Sequence, residues 1–396
     1  MNSERTDLPI ETMDLQMGPS HPATHGTIKF NLKLEGEKVL DCDVEVGYLH
    51  RGFAKSCEQA TWTQVIPYTD RLNYASPLIN NVGYAMAVEK LIGLEITPRC
   101  QYIRVIMSEL SRIFDHLTCC GMTASELGAI TAGFYMLEAR EILMRIIEAV
   151  CGARLTVTYV RIGGVKHDLP YGFAGDIERA FRIVRKLLSD CDRLLSRNRI
   201  FLDRMSGVGT ISEEMAIAYG LTGPLLRSTG VRYDVRKAHP YLVYDQLDFE
   251  VPLGTKGDNY DRFVVRIQEI EQSVRIVEQA LKKIPPGPVT VDDPRFVLPE
   301  KERVHGSIEG LMHHFKIIME GIKVPPGEVY FAVEGGNGEL GFYIVSDGSG
   351  KPYRIRVRPP SFIAMSAFHE MVKGCMVADL IPTFGMINMI GGECDR

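Results

Sequence analysis

Four segments of this 396-residue chain carry apolar residues at the three-and-four spacing that places them on one face of a helix. The spacing runs through residues 103–117, 139–150, 177–195 and 260–281. Thr97 and Pro98 precede the first segment as a helix-start signal, and Gly152 follows the second as a stop. A long amphipathic helix cannot bury its apolar face alone, so four of them predict a helical bundle.

Alternating apolar and polar residues flank this bundle on both sides. The alternation of residues 28–34 leads through Gly36 and Glu37 into a second run, which predicts a hairpin. Residues 329–333, 342–345 and 353–357 predict three further strands. The fold class is therefore α+β, with a central long-helix bundle and antiparallel sheets in the N- and C-terminal parts. We divide the chain into 1–55 (hairpin region), 56–284 (helical bundle) and 285–396 (C-terminal α+β region), all within one compact unit.

Composition excludes several classes of function. The net charge of -5 offers no excess of positive charge for nucleic acid or an anionic lipid surface. No apolar run reaches the roughly 18 residues of a membrane span, and the N-terminus lacks a secretory signal. Nine cysteines without any Cys-x-x-Cys pair support neither a disulfide framework nor a metal site. We expect a chain on the cytosolic side that holds no metal of its own.

Residues 336–341 match the G-x-G-x-x-G pattern of dinucleotide-binding loops. A predicted strand, and not a helix, follows the pattern, so no helix N-terminus would face a pyrophosphate. We interpret the segment as a glycine-rich hairpin turn and expect no nucleotide site.

The segment GPSHPATHG, residues 18–26, sets His21 and His25 into a loop framed by proline and glycine. A histidine held in this way is a candidate proton donor, because imidazole titrates near physiological pH. The alternative is that both rings only hydrogen-bond a tight turn.

Two further clusters follow within the first quarter of the chain. VGYLHRGF, residues 46–53, places Arg51 beside aromatic and imidazole groups, and YTDRLNY, residues 68–74, adds Arg71 and Tyr74. Taken singly, each of these residues could equally have a structural role, the arginines in salt bridges and Tyr74 at the start of a helix.

Eight ordered motifs together carry a family resemblance. They are GPSHPATHG, VGYLHRGF, YTDRLNY, GARLTVTYVRIGGV, TGPLLRSTGVRYDVRK, GDNYDRF, KVPPGEVY and GGECDR. In this order they resemble the 49-kilodalton, D-type subunit of respiratory complex I, the proton-pumping NADH:quinone oxidoreductase. That family is similar to the large subunit of nickel-iron hydrogenases, which implies a hydrogenase-large-subunit-like fold. Hydrogenase chemistry itself is disfavoured, because the nickel-binding Cys-x-x-Cys pairs are missing.

The resemblance implies a quinone-reduction site shared with a neighbouring subunit that carries the terminal iron-sulfur cluster. By matched position, His25 and Tyr74 would hydrogen-bond the two quinone carbonyls, and Glu126 would orient His25. His21 belongs to the same quinone loop, and Arg51 and Arg71 would lie next to the cluster. NAD and the clusters would be bound by other subunits of the hydrophilic arm, and a membrane-arm subunit would meet the chain at the quinone channel. The chain would be peripheral, on the cytoplasmic side of the inner membrane.

Four positions depart from the family pattern. Glu126 replaces an aspartate, Thr156 replaces a histidine near the cluster, and Ala54 and Asn73 replace acids. Because Thr156 lacks an imidazole, we predict that the reduction potential of the neighbouring cluster depends less on pH. We also predict that the complex reduces menaquinone in preference to ubiquinone. A metal-free scaffold without a catalytic role remains the alternative function.

Overall fold

The computed structural model describes residues 11–396. Its strands are β1 (Thr12–Met17), β2 (Lys29–Glu35), β3 (Lys38–Glu45), β4 (Val160–Arg161), β5 (Gly164–Val165), β6 (Gly327–Glu334), β7 (Glu339–Ser346) and β8 (Arg354–Arg358). Its helices are α1 (Phe53–Gln59), α2 (Trp62–Thr69), α3 (Pro77–Ile92), α4 (Pro98–Glu126), α5 (Ile130–Cys151), α6 (Phe173–Leu195), α7 (Arg199–Met205), α8 (Glu213–Ala218), α9 (Gly223–Ser228), α10 (Val235–Ala238), α11 (Asn259–Lys283), α12 (Lys301–Gly306), α13 (Ile308–Glu320), α14 (Pro360–Ser366), α15 (Phe368–Val372), α16 (Leu380–Ile387) and α17 (Gly391–Cys394).

The four predicted long helices are α4, α5, α6 and α11. The Thr97 hydroxyl accepts a hydrogen bond from the backbone N–H of Cys100 at 3.3 Å, and Gly152 ends α5 with φ at 84°. Helix α4 packs between α5 and α11, and α5 also packs on α6. Their apolar residues form the larger core, which confirms the predicted bundle.

Helix α4 is buried on nearly every side, which its sequence pattern did not indicate. Charged side chains opposite the apolar stripe, including Arg104, Glu109, Arg112 and Asp115, are fully buried. They are covered because α4 has packed neighbours around its whole circumference. The centre of the molecule is therefore partly polar.

The N-terminal sheet has the order β1-β2-β3 and is antiparallel throughout. The predicted hairpin is β2 and β3, joined at Gly36 and Glu37. Strand β1 was not predicted, since its residues are mostly exposed and it adds to β2 as an edge strand. The buried face of the sheet packs against α14–α16 in a second core, so both ends of the chain meet there.

The C-terminal sheet has the order β6-β7-β8, and β6 and β7 cover α3. The G-x-G-x-x-G segment is the β6–β7 turn, in which Glu334 pairs with Glu339 and the Gly335 N–H donates to the Gly338 carbonyl at 2.7 Å. The predicted hairpin is confirmed. The mixture of helices and small antiparallel sheets also confirms the α+β class, whereas the predicted domain boundaries stay a prediction.

Within residues 11–396, no helix has the length and apolarity that crossing a bilayer requires. In the same range, His, Cys, Asp and Glu side chains form no group of three or more suited to a metal ion. All nine cysteines are free thiols.

Candidate functional site

The histidine loop is a tightly bonded turn between β1 and β2. Residues Pro22–Thr24 form one turn of 3-10 helix. The buried Thr24 hydroxyl lies 3.1 Å from the Pro19 carbonyl oxygen and 3.0 Å from that of His21. His25 ends the turn in the left-handed region, at φ 53°. This network fixes the backbone that carries the His25 ring.

The His25 ring lies between the C-terminal end of α4 and α16. Its Nε2 is 3.3 Å from Oε1 of Glu126, the last residue of α4, and its centroid is 5.2 Å from that of the Phe384 ring. The His25 side chain is 40% exposed and that of Glu126 is 19% exposed. An ionised carboxylate can only accept hydrogen bonds, so His25 donates the hydrogen on Nε2 to Glu126. The other ring nitrogen, Nδ1, is left to bond another group.

Gly385 of α16 provides the space for the longer arm of Glu126. A methyl group on Gly385 would lie 3.1 Å from Glu126 Oε2 and 2.6 Å from the Thr123 hydroxyl. Glutamate at this position therefore reaches His25.

Tyr74 lies in the turn between α2 and α3 and is 44% exposed. Asn73 holds this turn, since its Oδ1 accepts from the N–H groups of Ala75 and Ser76 at 3.0 and 3.2 Å. The Asn73 amide also donates to Asp115 Oδ2 at 3.1 Å. Burial, and then the charge of Asp115, raise the pKa of Tyr74 above the ordinary value of 10. The phenol is therefore protonated at neutral pH.

Asp115 and Glu126 link the two predicted proton donors through α4. They are eleven residues apart, which is three helical turns, so they share a face of the helix at about 16 Å separation. Segment 384–393 runs along this face: Gly385 packs at Glu126, and the Asn388 amide donates to Asp115 Oδ1 at 2.8 Å. His25 and the turn that carries Tyr74 are thus both attached to this face of α4, three helical turns apart.

Arg51 and Arg71 are neighbours at the surface; their position next to a cluster stays a prediction. Arg51 Nη2 donates to the Arg71 carbonyl at 3.1 Å, and Arg71 Nη1 donates to the Pro67 carbonyl. Gly392 of α17 packs on them so closely that a methyl group there would lie 2.3 Å from the Arg71 carbonyl oxygen. Both guanidinium groups are exposed, so they remain accessible to a partner.

The C-terminus ties the VGYLHRGF loop to this site. The Asp395 carboxylate accepts from the N–H groups of Gly47 and Leu49 at 2.9 and 2.8 Å. The His50 Nδ1 lies 3.1 Å from the Asp395 carbonyl oxygen. Charge-assisted bonds of this kind are among the stronger ones in proteins, so they hold the loop that ends in Arg51.

Three of the highlighted residues lie outside these contacts. The His21 ring caps its own turn, since Nδ1 accepts from the Ala23 N–H at 3.2 Å. Ala54 is the second residue of α1, and Thr156 is half-buried with φ at 50°. His21 therefore follows the structural alternative for the histidine loop, whereas His25 faces a carboxylate.

Behind the site, α4 and its neighbours bury a network of charges. Its members are Glu109, Arg112, His116, Arg227, Asp234, Arg236, Arg266, Glu269 and Glu334. Burial alone would raise the pKa of Glu109, but Arg112 and Arg236 lower it to about 2. Glu109 is therefore ionised at every physiological pH.

Comparison with known proteins identifies the chain. Residues 126–396 match the family model of the respiratory-chain NADH dehydrogenase 49 Kd subunit. The chain belongs to this family. Among its relatives, a D-type NADH-quinone oxidoreductase subunit of Sorangium cellulosum is 55% identical over 100% of this chain and 98% of its own length. The D-type relative from Myxococcus xanthus is 54% identical over 98% of this chain and 94% of its own length.

A third relative is a longer chain. The C/D-type NADH-quinone oxidoreductase subunit of Bdellovibrio bacteriovorus is 50% identical over 97% of this chain, but the match covers 69% of its own length. In that relative the D-type sequence is therefore joined covalently to further sequence.

Sequence reasoning missed the residues that connect the site. Asp115 and Asn388 carried no local signal, because a single acid in a helix and a single asparagine are common on solvated surfaces. GGECDR contributed to the resemblance, yet its role was not predicted. Its paired glycines were a usable signal, since glycine marks places where backbones approach closely.

Proposed function

We propose that this chain works in a complex I-type NADH:quinone oxidoreductase, where it forms the quinone-reduction site together with the cluster-carrying subunit. Membership of the family and the names of its relatives support the subunit's place in the complex. The observation that carries the site is that segment 384–395 contacts the exposed His25 at Phe384 and the exposed pair Arg51–Arg71 at Gly392. Between these two contacts its Asn388 bonds Asp115, which also holds the turn of the exposed Tyr74.

Two-electron reduction of a quinone places negative charge on two oxygens, and each oxygen needs a donor that can release a proton. His25 can supply one from Nδ1 when it is protonated, because Glu126 holds Nε2. Tyr74 can supply the other, since its phenol is protonated and half exposed. Glu126 acts as a positioning residue for His25. Loss of these protons leaves charge in the pocket, which we infer to be the signal for proton translocation in the membrane arm.

The exposed arginines suit contact with the subunit that carries the terminal cluster. Cationic groups favour the reduced, more negative state of a nearby cluster. In this proposal Arg51 and Arg71 face that cluster, and NAD and the clusters belong to other subunits. The chain is peripheral on the cytoplasmic side, meets a membrane-arm subunit at the quinone channel, and has the fold of hydrogenase large subunits.

Substituting the two donors tests this function. In the assembled complex we expect His25→Ala and Tyr74→Phe each to lower quinone reduction about a hundredfold, the usual scale for losing a positioned acid. Electron transfer from NADH to a hydrophilic artificial acceptor should not change, because these electrons leave the complex before they reach the quinone site. Tyr353→Phe and His305→Ala are matched controls, since both side chains are exposed and lie outside the site. Normal quinone reduction by the first two variants in intact complex would instead support the scaffold.

We further propose that the complex reduces menaquinone in preference to ubiquinone. Thr156 carries a neutral hydroxyl, which cannot take up a proton when a neighbouring cluster is reduced. Redox titration of the terminal cluster between pH 6 and 8 should therefore give a nearly constant potential. A slope near the roughly 59 mV per pH unit of a coupled one-electron, one-proton reduction would contradict the proposal.

A further inference from the structure

Two carboxyl groups buried behind Tyr74 have no part in the mechanism so far. Asp115 lies on α4 and Glu393 on α17, and both side chains are fully buried. Glu393 follows Gly392, the residue that packs against the Arg71 carbonyl. Asp115 bonds Asn73, so both acids lie next to segment 71–74, which carries Arg71 and Tyr74.

Neutral groups make the hydrogen bonds to Asp115 within residues 11–396. The Asn73 amide donates to Oδ2 at 3.1 Å, and the Asn388 amide donates to Oδ1 at 2.8 Å. Gly336 closes the remaining side, since a methyl group on it would lie 2.1 Å from Asp115 Oδ2.

Glu393 has a similar environment. The Ser361 hydroxyl of α14 is hydrogen-bonded to Oε2, and the same hydroxyl accepts from the Ile390 N–H at 3.4 Å. The Asn388 amide that bonds Asp115 also donates to Asn337 Oδ1 at 2.7 Å. Gly392, the residue before Glu393, packs on the Leu72 carbonyl oxygen beside Asn73, so both acids border the turn that carries Tyr74.

The charged groups around Glu393 are few. Asp115 faces it from α4, Arg51 lies beside the adjacent Gly392, and Asp395 follows two residues later. Arg266 of α11 reaches the intervening Asn337 Oδ1 at 3.3 Å. In the described part of the chain neither carboxyl group is hydrogen-bonded to a lysine or arginine.

Two buried carboxylates without a bound cation cannot both be ionised at small cost, so one of them keeps its proton. Burial, followed by the charge of Asp115, raises the pKa of Glu393 to about 8. At neutral pH the proton therefore resides on Glu393, and Asp115 supplies the charge that raises the pKa of Tyr74.

We propose that Asp115 and Glu393 form a carboxyl pair with a single negative charge, and that this charge state sets how readily Tyr74 releases its proton to quinone. A second charge on the pair makes the tyrosinate less favourable and slows quinone reduction. Both acids are positioning residues, since they act through Tyr74 and the Asn73 turn. The inference rests on the proposed role of Tyr74.

The pH dependence of quinone reduction by the assembled complex tests this pair. The wild-type rate should fall with a midpoint near pH 8, because Glu393 is neutral below that value and charged above it. If the singly charged pair is the active form, the rate at pH 9 should be about tenfold below the plateau. Glu393→Gln is neutral at every pH, so its profile should lack the fall that is centred near pH 8. Glu328→Gln, at an exposed glutamate, should retain the wild-type fall.

Infrared spectroscopy of the same complexes gives a readout that does not depend on turnover. The wild type should show a protonated carboxylic acid band at pH 6 that is lost by pH 10, and Glu393→Gln should lack it. The proposal of a carboxyl pair would be overturned if the rate of quinone reduction by Glu393→Gln still fell near pH 8 as in the wild type. It would also be overturned if the wild type lacked the carboxylic acid band. Full activity of Tyr74→Phe would remove the proposed function while leaving the infrared titration intact, so the two failures are distinguishable.

Discussion

Glu109→Ala is expected to lower the free energy of unfolding of this subunit by about 3–5 kcal/mol, the usual cost of removing one partner from a buried ion pair. Glu109 accepts from Arg112 Nε at 3.2 Å and from Arg236 Nη1 at 3.1 Å. It also accepts from the hydroxyls of Tyr244 and Ser273, each at 2.6 Å. Alanine would leave two buried guanidinium groups and two buried hydroxyls without this acceptor.

The measurement is the yield of assembled complex, followed by hydrogen exchange of α4 peptides within it. Faster exchange across α4 reports the lost stability directly. Glu271→Ala is the matched control, because Glu271 pairs with Arg185 at 2.7 Å but is half exposed. Exposed pairs contribute about 0–1 kcal/mol, so a similar loss in both variants would show that burial is not the reason.

Acid should weaken the same network. The folded pKa of Glu109, about 2, is below the ordinary 4.5, so its contribution to stability is present above pH 4.5 and is lost as the pH falls towards 2.

Asp395→Ala is expected to release the VGYLHRGF loop and to lower the free energy of unfolding by about 3 kcal/mol. The carboxylate bonds two backbone N–H groups, and each hydrogen bond to a charged group contributes about 1.5–3 kcal/mol. Hydrogen exchange should accelerate at Gly47 and Leu49. Quinone reduction should also fall, because the loop that carries Arg51 loses its anchor.

Asp395→Asn separates the two contributions. One amide oxygen can still accept, so we expect an intermediate change in exchange and stability. Asp347→Ala provides the control, since Asp347 caps an exposed turn through the Ser349 N–H. Unaltered exchange at Gly47 in Asp395→Ala would show that other contacts hold the loop.

Local pattern was sufficient for the four longest helices and for five of the strands, and it singled out the side chains proposed to donate protons. The apolar stripes of α4, α5, α6 and α11 and the alternation of β2, β3 and β6–β8 were all visible in the sequence. The histidine loop was identified as a place where a ring could be held, and His25 does meet Glu126. Strand β1 was missed because an exposed edge strand needs no apolar alternation.

The sequence by itself determined which residues prefer helix or strand and which side chains can donate protons, because both depend on neighbours within a few positions. Tertiary structure alone decided which of these side chains meet. Asp115 joins Asn73 and Asn388, and Asp395 bonds a loop almost 350 residues earlier in the chain. It also decided that the polar side of α4 is enclosed, since enclosure depends on the helices packed around it and not on its own residues. The physical reason is range: backbone preference is local, whereas burial and charge pairing arise between distant segments.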